Sequence, residues 1–268
     1  MAPRNASSRG GKRFYSWRNE NYWSVTTILS GGLPKPVLVN WAKKYTAEYA
    51  VNNFTALTEL VKADPQGAID WLKGAAYRER DRKADLGTYV HAAMEAYSLG
   101  KPFPEWPEAV RPRMEAFKRF VEKRAPNYVA TEASVYNRSE RYAGTLDAII
   151  DLDGRRYVLD MKSSKDIYPD VALQLAAYRH AEFIGLPDGS EEPMWETDGA
   201  LALHLADGED GQGEWKLLEV DAGEDTLRYF LYVREVFRWS ETKSKQVLLG
   251  HYPVSLEAAG MTAKEVAA

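Results

Sequence analysis

Cysteine is absent from this chain of 268 residues. That rules out disulfides, thiolate-held zinc and any iron–sulfur cluster ligated by cysteine, so the terminal regions have to be held by packing alone. Long apolar runs are missing too. No stretch reaches the roughly 18–20 residues needed to cross a bilayer, and the N-terminus is polar and basic where a signal peptide is apolar. The expectation is a cytoplasmic protein with no membrane partner. An excess of positive charge is also lacking: 35 Lys and Arg stand against 39 Asp and Glu, a formal net charge of -4. Contact with a polyanion must therefore come from local basic patches, with metal ions offsetting acids. The Gly-x-x-x-x-Gly-Lys-Ser/Thr phosphate loop is missing, so any unwinding of nucleic acid needs a partner. At 45% hydrophobic and 28% charged residues, the chain can bury a substantial core as one elaborated domain.

The residues that carry chemistry lie in the middle of the chain. Tyr142 to Leu152 and Arg156 to Met161 read as β-strands, rich in Ile, Val, Leu and Tyr, and Asp153-Gly154 between them is a hairpin-turn signal. Side chains alternate along a strand, so Asp160 and Lys162 share one face while Met161 takes the other. If Asp147 faces the same way, the two carboxylates can hold one divalent cation, with the backbone carbonyl of Met161 as a further oxygen. Mg²⁺ prefers such oxygen ligands and keeps several waters, which leaves positions open for water and a phosphate oxygen. Lys162 is the discriminating element. A storage site has no use for a cation beside the metal, whereas phosphoryl transfer builds negative charge on phosphate oxygens and needs an oriented water. The metal and the acids pull the Lys162 pKa in opposite directions.

Around this pair the chain reads mainly as helices. A helix over about 85–99 carries His91, with Glu95 one turn later as a solvated residue, and a helix over about 169–183 puts Gln174 and Tyr178 on one face. Glu132, in the strand-like run Tyr128 to Tyr136, is either a third carboxylate that makes a second cation possible or an exposed strand acid. Ser163 and Ser164 either donate to a phosphate or are turn residues. Further helices are expected over about 37–51, from Asp64-Pro65 onward, over about 107–123 and over about 224–239. Strands are expected over 200–205 and 215–220, separated by a flexible segment over 207–213, and His204 reads as structural. Arg4, Arg9, Lys12, Arg13 and Arg18 interleave with Phe14, Tyr15 and Trp17. Such an arm either follows phosphates and stacks bases or is a solubilising terminus. Lys73, Arg78, Arg80, Arg82 and Lys83 are diluted by Glu79, Asp81 and Asp85 and read as a solvated helix face.

Four motifs occur in one order: Leu86-Gly87-Thr88-Tyr89-Val90-His91, Gly144-x-x-Asp147, Asp160-x-Lys162 and Gln174-x-x-x-Tyr178. In that order the chain resembles the RecB-like branch of the PD-(D/E)XK nuclease superfamily over about residues 86–183, of the phage exonuclease type and without the cysteines of its iron–sulfur members. The resemblance implies that His91, Asp147 and Asp160 bind metal, that Lys162 is catalytic, and that Gln174 and Tyr178 sit beside the site and can position a nucleotide phosphate. The implied fold is α/β, a restriction-endonuclease-like core with a mixed central sheet flanked by helices and a helical N-terminal elaboration. Its expected division is a basic arm over 1–20, the helical elaboration over 21–84, the nuclease core over 85–257 and a tail over 258–268.

The expected activity is Mg²⁺- or Mn²⁺-dependent exonucleolytic hydrolysis of DNA from its ends, in phage recombination, repair or replication, alongside a recombination or replication protein in a bacterial or phage-infected cytoplasm. Ser163, Ser164, Gln174, Tyr178, Lys12, Arg13 and Arg18 are the expected DNA contacts. A structure-selective or site-specific endonuclease uses the same centre, and a noncatalytic nucleic-acid-binding protein keeps the same fold.

Overall fold

The computed structural model describes residues 5–208 and 211–248. The expected tail over 258–268, Arg4 and part of the expected flexible segment over 207–213 lie outside them. The N-terminus departs from the expected flexible arm. It forms an antiparallel meander of β1 (Ala6–Arg9), β2 (Lys12–Trp17) and β3 (Glu20–Ser24). Both connections are two-residue turns with left-handed backbone, Gly10-Gly11 at φ 59° and 73° and Arg18-Asn19 at 45° and 65°, the geometry that matches the twist of paired strands. Tyr15, Trp17 and Tyr22 then turn inward and form a buried cluster with Tyr136 and Phe183. Two of the aromatic residues interleaved with the basic ones, Tyr15 and Trp17, thus serve the core.

Five helices follow: α1 (Val25–Gly32), α2 (Pro36–Asn52), α3 (Phe54–Ala63), α4 (Pro65–Lys73) and α5 (Ala75–Ser98). Asp64 caps α4 by accepting the Gly67 N–H at 2.9 Å, ahead of Pro65 at the first helical position. Neither α2 nor α3 has a fully buried residue. The expected boundary at residue 85 falls inside α5, which runs unbroken from Ala75. Then come α6 (Arg111–Arg124), β4 (Asn127–Asn137), β5 (Tyr142–Leu152), β6 (Arg155–Lys162), α7 (Asp170–Arg179), β7 (Phe183–Gly185), β8 (Glu191–Pro193), β9 (Gly199–Ala206), β10 (Glu214–Val220) and α8 (Glu224–Glu241). No helix among the described residues is long and apolar enough to cross a membrane.

The strands form one mixed ten-stranded sheet. β3 pairs parallel with β5, and β6 parallel with β9, while the remaining pairs are antiparallel. Helices cover both faces. Ile28 of α1, Leu175 of α7 and Phe230 and Phe237 of α8 pack with Val135, Ile149 and Val158 on one side. Val90 and Met94 of α5 and Phe117 and Phe120 of α6 pack with Ile150, Leu159 and Leu203 on the other. A sheet buried on both faces explains why β5 and β6 read as near-continuous apolar runs. The β5–β6 hairpin forms as expected, with Asp153 and Gly154 at φ 52° and 77°.

One irregularity positions the site. β3 meets β5 only at Tyr142 and Ala143, and β6 meets it only from Ala148 onward. Between them, along residues 144–147, that edge of β5 has no strand partner among the described residues. The alternation of β5 also breaks there: Leu146 joins one core cluster and Ala148, two residues on, joins the other. Asp147 sits at the break.

Candidate active site

Asp147 compensates for the missing ladder partner with its side chain, since its Oδ2 accepts the Met161 N–H at 2.7 Å. Met161 buries its own side chain and meets the site through its backbone. One residue before it on β6, Asp160 is 2% exposed and is held by two donors. Lys162 Nζ lies 3.0 Å from its Oδ1 and 2.9 Å from its Oδ2, and Gln174 Nε2 donates to Oδ1 at 2.7 Å. Gln174 Oε1 in turn faces Lys162 Nζ at 3.4 Å. Asp160 Oδ2 accepts no hydrogen bond despite full burial, which leaves a carboxylate lone pair directed only at an ammonium charge.

From the other side, α5 brings His91. Its Nδ1 lies 3.6 Å from Asp147 Oδ1 and 3.8 Å from Glu132 Oε1, and the donor atoms of His91, Glu132 and Asp147 all fall within 4.8 Å of one another. One imidazole and two carboxylates form a donor set that fits a divalent cation taking oxygen and nitrogen ligands. Asp160 stands outside this group, and its unbonded Oδ2 is the buried atom that a cation in the same cleft would satisfy. Glu132 thus lies beside His91 and Asp147, with its own side chain still exposed.

Its backbone is left-handed at φ 50°, in the middle of β4 and at the level where β5 also loses its alternation. A non-glycine residue held there costs on the order of 1–2 kcal/mol, a strain that persists where it aims a functional side chain. Glu132→Gly is therefore expected to unfold at a higher temperature than Glu132→Ala, by a difference worth about 1 kcal/mol, reversing the usual order in a strand. Thermal melts of the two variants, both of which remove the carboxylate, check this; Ala above Gly would mean that the strain is absent.

The charges are tightly linked. Burial, and then the neighbouring Asp147, pushes the Asp160 carboxyl up from 3.8 to about 6. Burial and then Asp147 likewise raise Glu132. Burial works against the Lys162 ammonium, but Asp160 and Asp147 outweigh it and hold that group above its ordinary value. In metal-free protein Lys162 is therefore a charged donor at neutral pH. Burial raises the Tyr178 phenol well above its usual range, so it stays protonated.

Because the folded protein holds the Asp160 proton more tightly than the unfolded chain, this group favours folding fully below pH 3.8, and the contribution fades as pH rises through about 6. The difference is about 3 kcal/mol. In metal-free protein, Asp160→Asn is expected to flatten the fall in stability between those pH values. Denaturant titrations across that range measure it, and parallel curves for the two proteins would contradict it.

The cleft has a volume of about 1020 Å³, and His91, Glu132, Asp147, Asp160, Lys162, Gln174 and Tyr178 all line it. Gly144 has a steric purpose, because a Cβ there would lie 2.3 Å from the Tyr178 ring; the motif glycine makes room for the motif tyrosine. Several expected contacts fall elsewhere. Ser164 bonds the Asp166 carbonyl at 2.7 Å as a turn residue, and neither it nor Ser163 lines the cleft. Lys12 pairs with Glu241, and Arg18 with Glu191 at 3.2 Å. Only Arg13 of that basic set reaches the cleft, and among the described residues it has no ion-pair partner.

His204 accepts a structural role, its Nε2 lying 2.8 Å from the Ser164 carbonyl. Glu95 lines the cleft one turn beyond His91, although it reads as solvated in sequence; the shared helix face was the available signal. Tyr15, bonded to Thr145 at 3.0 Å, and Trp195 also line it. The aromatics interleaved with basic residues are the signal for Tyr15, whereas nothing local in the sequence marks Trp195. Compared with known proteins, the chain matches no family model and no curated protein.

Proposed function

We propose that this chain is a metal-dependent deoxyribonuclease, a RecB-like member of the PD-(D/E)XK superfamily that hydrolyses DNA from its ends. The observation that carries the reading is the convergence in one cleft of a His91–Glu132–Asp147 donor group with the Asp160–Lys162–Gln174 network. A lysine kept charged beside a cation site serves phosphoryl transfer and would weaken mere storage. Bound there, Mg²⁺ or Mn²⁺ would supply Lewis-acid stabilisation of the phosphodiester and lower the pKa of a water. Lys162 donates to a phosphate oxygen as negative charge develops, and orients water. Gln174 fixes Asp160 and holds Lys162 in register with it. Tyr178, protonated and buried over Gly144, presents a hydroxyl without adding charge.

The preference for ends, and the setting in phage recombination, repair or replication beside a recombination or replication protein, are what the resemblance to standalone RecB-like members implies. End-labelled linear single-stranded and duplex DNA, closed circular DNA, Mg²⁺ or Mn²⁺ and chelator test the reading. Linear DNA is expected to shorten from its ends only when metal is present. Cleavage of the circle would make the protein an endonuclease, and binding without cleavage would make it a noncatalytic nucleic-acid-binding protein.

Arg13 is the proposed phosphate contact of the N-terminal strands. Arg13→Ala is expected to weaken DNA binding and lower the slope of log affinity against log salt by about one, as loss of a single phosphate contact does. Lys12→Ala, which removes a cation already paired with Glu241, should leave that slope unchanged. Anisotropy titrations at several salt concentrations separate the two, and equal effects would return the contact to the whole arm.

A further inference from the structure

The cleft that holds the proposed metal-binding residues also has a wall of different chemistry. Ile184, Leu186, Pro187 and Trp195 line it there, a patch without a charged side chain. Its place relative to the acids follows from strand register. β7 pairs antiparallel with β4, Gly185 opposite Ser134 and Ile184 opposite Val135. Leu186 follows directly on that pairing, and the chain turns at Pro187. The apolar wall therefore begins where β7 leaves Ser134 of β4, two residues along that strand from Glu132.

The wall is also fixed before any ligand arrives. The Leu186 N–H donates to the Ser190 carbonyl at 2.9 Å, and the Met194 N–H to the Glu182 carbonyl at 3.0 Å. Glu191, on the same hairpin, accepts from Trp17 Nε1 at 2.8 Å and from Arg138 at 2.8 Å. Leu186 and Trp195 pack against the main core from behind. A half-exposed indole held this way is a platform for a flat, weakly polar ring.

We infer that this wall is a nucleobase subsite, in which Trp195 and Leu186 take an unpaired base whose own or adjoining phosphate lies at the acids. This rests on the nuclease reading and narrows it to a single strand as the substrate that occupies the cleft. A volume of about 1020 Å³ belongs to the size class of small-ligand pockets, room for a few nucleotides of one strand. Stacking on an indole is also indifferent to sequence, because every base has a π-face.

The test is anisotropy binding of a labelled oligothymidylate with Ca²⁺ in place of Mg²⁺, against the same strand with one abasic residue stepped through each position near its end, and against a blunt duplex. Wild-type protein is expected to bind the intact strand about tenfold more tightly than the duplex, and to lose about tenfold when one particular position is abasic. Trp195→Ala should lose about tenfold on the intact strand and become insensitive to that abasic position. A flat abasic scan, a duplex bound as tightly as the single strand, or a Trp195→Ala protein that still senses the missing base would each overturn the subsite. If Trp195→Ala does not fold, the wild-type scan decides alone. Cleavage is followed separately in Mg²⁺: a positive scan without cleavage removes the nuclease reading and keeps the base site, whereas active cleavage with a flat scan removes only the base site.

Discussion

Replacement of Asp147 by Asn is expected to abolish DNA cleavage, with cation affinity falling at least about a hundredfold, in a protein that stays folded. Asp147 links every part of the centre. Its Oδ1 faces His91, and its Oδ2 anchors β6 through the Met161 N–H at 2.7 Å. The Asn side chain can turn its carbonyl oxygen to that N–H, so the unpaired edge of β5 stays tied. What it removes is a full negative charge from a group whose donor atoms fall within 4.8 Å of one another. Within that donor group only Glu132 then remains as a carboxylate beside His91, which holds a hydrated divalent ion less well. Calorimetric titration with Mn²⁺, end-labelled DNA assays and a melting curve read the three effects. Asp147→Ala should add instability, because it leaves the Met161 N–H without its acceptor. Wild-type cation affinity in Asp147→Asn would take this residue out of the centre.

The second large effect is expected at Lys162. Lys162→Met should lower single-turnover cleavage by at least about a hundredfold, as loss of a donor aimed at developing charge does, while cation binding is kept or strengthened. The sign of the binding effect follows from electrostatics, because the substitution removes a positive charge beside a cation site. A stability cost comes with it. Asp160 is 2% exposed and then loses its counter-charge, so it has to take up a proton or remain buried as an unpaired anion. Asp160 already titrates at about 6, and the variant should therefore melt higher at pH 5 than at pH 8 by more than wild type does. Unchanged single-turnover rates would reduce Lys162 to the ion-pair partner of Asp160.

Much of the central architecture was legible because it is locally encoded. Asp153-Gly154 specifies a two-residue hairpin between apolar runs, Asp64-Pro65 specifies a helix start, and one-turn spacing puts Gln174 beside Tyr178 on α7. The N-terminal strands were missed for a matching reason. Arg18-Asn19 is not a standard turn pair, and interleaved charges and aromatics looked like an arm, whereas Tyr15, Trp17 and Tyr22 in fact alternate into a core supplied by Tyr136 and Phe183. Burial decided that segment, and burial depends on partners more than a hundred residues away. The ion-pair partners of Lys12 and Arg18, Glu241 and Glu191, are equally remote.

The sequence by itself determined which chemical groups are available: a histidine on a helix, acids and a lysine on a hairpin, a glutamine and a tyrosine one helical turn apart, and no cysteine. Short-range rules suffice for that, because strand alternation, turn preference and helical spacing act over a few residues. Only the tertiary structure decided how the groups divide. It gathered His91, Glu132 and Asp147 into one donor set and tied Asp160 to Lys162 and Gln174 instead. It also brought Arg13 and Trp195 to the cleft from opposite ends of the sequence. The physical reason is the break in the sheet between β3 and β6, where Asp147 lacks a strand partner on one edge of β5 and Glu132 leaves the extended backbone region on β4. Strict alternation from the sequence could not anticipate that break, since it depends on how three strands distant in the chain share the edges of one.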